Sequence, residues 1–108
     1  MKREGYIKKL VSNSRAIISN QIGLPVGSIK MVGIIYWIEM EGPLQGIDLG
    51  IFKEYASMIN PYLTGTDRLY SDREFLKKQD VRLDEITAKY KEIIIDKCFE
   101  IISNFSDK

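Results

Sequence analysis

The chain has 108 residues, 44% of them hydrophobic and 29% charged, with sixteen Lys and Arg against fifteen Asp and Glu. One domain's length of ordinary globular composition excludes disorder and low complexity, and a net charge of +1 sets up no general attraction to nucleic acid or membrane. With no histidine and one cysteine, the sequence excludes a Ser-His-Asp triad, a Cys-His pair, a Cys/His zinc site and an intramolecular disulfide. The lone Cys98 fits a reducing, cytoplasmic setting.

The opening "MKREGYIKKLVSNSR" is charged, but no uninterrupted apolar run follows it, so no signal peptide is expected. In this segment Tyr6, Ile7, Leu10, Val11, Ser14, Ile17 and Ile18 recur at helical spacing, which predicts a helix from about residue 4 to residue 21. Gly23 is read as its stop and Pro25 as the break. Residues 1–20 also hold five cations against one acid, whereas residues 37–60 hold four acids against one cation. Such faces are usually just solvated; the alternative is a basic patch that meets an acidic partner.

"GSIKMVGIIYWIEME" is ambiguous, because Val32, Ile34, Ile35, Tyr36 and Ile38 favour strands. The apolar run is long for a strand, Ser28 and Pro25 supply helix-start chemistry, and no other segment offers a strand to pair with. A helix apolar on most sides is expected here, surrounded by other helices, with Trp37 as a core anchor. The run is too short, and carries Glu39, to cross a bilayer. A third helix is expected from an Asp48 cap, with Ile51, Phe52, Tyr55, Met58 and Ile59 on its inner side. "SDRE" at residues 71–74 matches a capping box that starts the last helix. That helix follows Leu83, Ile86, Tyr90, Ile93, Ile94, Cys98, Ile101, Ile102 and Phe105, and the polar stretch near Asp80 is a place where it could break. The expected fold is an all-α bundle of four main helices in a single domain, five if that break occurs.

Two short stretches share a pattern. "GSIKM" and "GTDRL" both read Gly, Ser or Thr, any residue, a cation, then Met or Leu. Neither has the Lys-Ser/Thr pair or the leading strand of a phosphate loop. The simplest reading is a helix start twice over, with Gly27 and Gly65 at the turn and Ser28 and Thr66 as caps. Lys30 and Arg68 remain unexplained by capping, and would suit an anion or a partner's carboxylate. Arg68 could equally pair internally with Asp72 or Glu41.

Chemistry finds little support. Glu39 and Glu41 fall on different helix faces, no EF-hand spacing exists, and no metal or cofactor is expected. The helix after the first turn is apolar with only Lys30, which argues against a nucleic-acid recognition helix. The expected function is therefore binding of another protein, with Lys30, Trp37, Glu39, Glu41, Asp67 and Arg68 as candidate binding residues. The alternatives are a small-ligand protein or carboxylate enzyme using Arg68, Asp67 and Glu41, and a self-associating module. The order "SRAIISNQIGLPVGSIKM", an apolar Trp-containing helix, "LTGTDRL" and "LDEITAKYK" resembles small uncharacterised helical bacterial proteins, some of them immunity-like. That resemblance implies a cytoplasmic protein that binds and blocks a toxin and performs no chemistry.

Overall fold

A computed structural model describes residues 3–60 and 73–105. Among them are four helices and no strand: α1 (Arg3–Ile18), α2 (Leu24–Glu39), α3 (Gly50–Ile59) and α4 (Arg73–Phe105). The protein is an all-α bundle. Helix α4 runs unbroken through Asp80, which removes the five-helix variant. The stretch "GTDRL", with Asp67 and Arg68, and the Ser71 half of the capping box lie outside the described residues.

Helix α1 ends earlier than the Gly23 stop predicts. Asn20 takes a left-handed conformation (φ 63°), and the amides of Asn20 and Gln21 donate to the carbonyls of Ile17 and Ala16. This is the Schellman arrangement, in which Asn substitutes for the usual Gly. The chain then reverses over Ser19–Gly23 into α2. Start meets end between the two helices: Gly27 touches Ile17, and Tyr6 stacks on Trp37 at 6.3 Å. Helices α1 and α2 are thus antiparallel.

The first helix-start motif is corrected by this geometry. Helix α2 begins at Leu24, after an extended Gly23, with Pro25 in its first turn. Gly27 and Ser28 lie inside the helix and are buried, so neither makes the turn and Ser28 is no cap. Gly27 instead lets two helices approach closely. A Cβ there would sit 2.5 Å from Ile17 Cγ1, and the Asn13 amide donates to the Gly27 carbonyl at 2.9 Å. At the start of α3, Asp48 does accept the Gly50 amide at 2.9 Å, although the cap residue itself is Leu49.

The core follows most of the predicted stripes, but Met58 of α3 and Ile93 of α4, which the spacing places inward, are exposed because they stand at the edge of the stripe away from the neighbouring helices. Leu10 and Ile17 of α1, Met31, Ile35 and Ile38 of α2, Phe52, Tyr55 and Ile59 of α3, and Tyr90, Ile94, Cys98 and Ile101 of α4 are buried together. Helix α4 packs on both α1 and α3. Against α3, the Tyr55 ring lies 5.5 Å from that of Tyr90, and the Tyr55 hydroxyl meets the Thr87 hydroxyl at 2.7 Å. Tyr55→Phe is expected to cost about 1 kcal/mol in urea unfolding, since Thr87 is only half-buried and can recover a partner from water. A loss above about 2 kcal/mol would mean that Thr87 is left stranded.

Candidate functional site

The outward face of α2 is apolar from end to end. Val26, Ile29, Tyr36, Trp37 and Met40, just past the helix end, are each 46–62% exposed, and exposed Gly33 lies among them. Steps of three and four residues keep all six on one side of the helix. The opposite side carries Met31, Ile35 and Ile38 into the core. At 1.5 Å per residue, the outward stripe from Val26 to Met40 is about 20 Å long.

This overturns the expectation of a surrounded helix with Trp37 as its core anchor. Helix α2 is apolar all round for two reasons: one side makes the core and the other meets solvent. Trp37 is held by aromatic neighbours. Tyr6 stacks on it with planes 11° apart, and Tyr36 meets it edge-on at 5.4 Å. The arrangement is a fixed aromatic platform at the C-terminal end of α2.

Two clefts flank the helix. One, of about 390 Å³, lies between α2 and the start of α3, where Val32, Ile35, Tyr36, Ile47 and Leu49 form an apolar wall and Glu39, Asp48 and Lys53 its polar rim. The other, of about 560 Å³, lies between α1 and α2 and is lined by Lys9, Ser12, Asn13, Gln21, Lys30 and Ile34, among others. The structure therefore separates the predicted site residues. Trp37 and Glu39 belong to the outward face and its adjoining cleft. Lys30 is on the opposite edge of that face, beside Lys9, and Glu41 lies in the exposed turn after α2. Because α2 begins at Leu24, Lys30 is in its second turn and not its first, so the unfavourable dipole position inferred from sequence does not arise. No carboxylate among the described residues pairs with Lys30. Asp67 and Arg68 lie outside the described residues, and the Arg68–Asp67–Glu41 grouping with them.

The interior offers no reactive centre among the described residues. No group of three or more Cys, Asp or Glu side chains there is placed to hold a metal ion. Cys98 is fully buried, and burial pushes its thiol up to about 11 although Ser14 beside it favours the thiolate. So little thiolate exists at neutral pH that a nucleophilic role is not served. Burial also raises Tyr55, partly offset by Thr87. It raises Tyr90 as well, with the Glu54 carboxylate adding to the effect.

Of the residues on this face and its adjoining cleft, sequence reasoning singled out Trp37 and Glu39 but not Val26, Ile29, Gly33, Tyr36 and Met40. Their signal was present, since the apolar residues of α2 cover more of its circumference than one core can use. Comparison with protein-family models, curated proteins and solved structures gave no match for this chain.

Proposed function

We propose that this is a protein-binding module whose docking surface is the outward face of α2. The observation that carries the reading is that this face is apolar along its whole length while Tyr6, Tyr36 and Trp37 are pre-arranged on it. Isolated exposed apolar side chains are ordinary, but a continuous patch marks a contact surface. Half-exposed Trp and Tyr are the residues that most often dominate binding energy, and a ring already stacked loses little freedom on docking. Glu39, Asp48, Lys53 and Lys30 supply a polar rim around the patch. The immunity-like role implied by the resemblance is one form of this reading and rests on the resemblance alone.

The test compares the native chain with Trp37→Glu at equal abundance in extracts of its own cells. The native chain is expected in a complex larger than its own 12.5 kDa mass, and the variant as a monomer with a melting temperature within about 3 °C of native. A native chain that remains monomeric both in extract and when purified would remove the reading.

A further inference from the structure

We infer that the outward face of α2 docks against the same face of a second copy, the two helices antiparallel about a two-fold axis at Gly33. The inference rests on the protein-binding reading of this face and names its occupant. Three observations support it.

Gly33 has no explanation among the described residues of its own chain. Glycine in the middle of a helix is unfavourable relative to alanine, and a Cβ at Gly33 would meet nothing within 4 Å. Its counterpart Gly27, six residues earlier, is required by the Ile17 contact. Gly33 gains a comparable reason only if a backbone approaches from outside, where a missing Cβ permits close packing.

The exposed residues are also arranged evenly about Gly33. In an antiparallel two-fold pair centred there, a residue n positions after Gly33 faces the residue n positions before it on the second copy. Met40 then meets Val26 of the second copy, seven positions either side. Tyr36 meets Lys30 of the second copy, three positions either side, and Trp37 meets Ile29, four positions either side. Met40 and Trp37 thus find the apolar partners Val26 and Ile29. Lys30, which has no described carboxylate of its own, comes to an aromatic face, where a cation is attracted to the ring. No like charges are brought together along the seam, because Val26, Ile29, Gly33, Tyr36, Trp37 and Met40 carry none and Lys30 faces Tyr36.

The area is sufficient. Five large side chains about half exposed offer on the order of 500 Å² per copy. Two copies would cover on the order of 1,000 Å² before the rim is counted, which reaches the size of a specific interface.

The experiment is sedimentation equilibrium of the purified full chain, native and carrying Gly33→Leu or Trp37→Glu, from about 1 μM to about 1 mM. The native chain is expected at twice its 12.5 kDa mass, and each variant's dissociation constant at least about tenfold higher. Both positions are exposed, and circular dichroism verifies that the variants keep their helices. A chain monomeric throughout overturns the inference, as does a dimer that neither variant weakens. If the purified chain is monomeric but the chain in extract is not, the second copy is excluded while the protein-binding reading stands. Orientation is read by disulfide trapping with Lys30→Cys and Tyr36→Cys, which lie three positions either side of Gly33, since buried Cys98 does not compete. Mixed together, the two variants are expected to trap the mixed dimer in preference to either self-dimer. A preference for self-dimers would make the helices parallel and overturn the antiparallel arrangement.

Discussion

Gly27→Ala is expected to destabilise the protein by about 2 kcal/mol, lowering the melting temperature by about 10 °C. Two effects oppose each other. Alanine favours a helix over glycine by about 1 kcal/mol. The added methyl, however, would sit 2.5 Å from Ile17 Cγ1 and 2.9 Å from Ile17 Cδ1. Overfilling a packed core costs about 1–3 kcal/mol or more. Here the cost should sit at or above the upper end. Ile17 is itself 3% exposed and has nowhere to go, and a β-branched side chain in a helix has one strongly preferred rotamer. The Asn13 bond to the Gly27 carbonyl further pins the two helices at this distance. Gly33→Ala is the control in the same helix. It meets no neighbour, so only the propensity gain applies, and the monomer should be stabilised by about 1 kcal/mol. The paired urea midpoints, read at dilutions where the chain is monomeric, check both signs. A Gly27→Ala protein as stable as native would mean that α1 can move away from α2 at little cost.

The second large effect is a loss of stability in alkali that begins at Cys98. Its thiol titrates at 9.0 ordinarily and at about 11 in the fold, because burial disfavours the thiolate. The folded value is the raised one, so the unfolded chain loses its proton first as pH rises. Stability is fully present below pH 9 and falls between 9 and 11. A gap of two pH units corresponds to about 3 kcal/mol in total, of which about half is lost by pH 10. Tyr55 and Tyr90 are raised for the same reason and extend the decline above their ordinary value of 10.0. Cys98→Ala separates the contributions. It is expected to cost about 1 kcal/mol at pH 7, from lost packing against Ser14 and its neighbours, but to show a clearly shallower decline between pH 9 and 10, the remainder being that of the tyrosines. Identical pH slopes for the two proteins over that interval would show that Cys98 carries none of the effect.

Where the candidate site was legible and where it was not follows from what a pattern of apolar residues can specify. In α1, α3 and α4, most apolar residues fall on one stripe, although Met58, Val81, Ile93 and Phe99 are exposed outside it. The inward side was therefore readable at Leu10, Phe52, Tyr55, Ile94 and Ile101, all of which are fully buried. In α2 the apolar residues lie on every side, and a period of 3.6 then carries no direction. Placing Trp37 in the core was reasonable on that pattern and failed because Tyr6 and Tyr36 hold it at the surface. The Gly27 motif failed for a related reason. A glycine followed by serine reads as a turn and a cap, but glycine also serves where two helices touch, and only the position of Ile17 distinguishes the two uses.

The sequence by itself determined the all-α class, the four helices, the absence of histidine chemistry and the buried stripe of each one-sided helix. These depend on composition and on spacing along the chain. Which side of α2 faces out, why Gly27 is glycine, and that Lys30 stands by Lys9 apart from Glu39 were decided by the tertiary structure. Those features depend on what lies across the gap between helices, and a neighbour in space leaves no mark in local spacing.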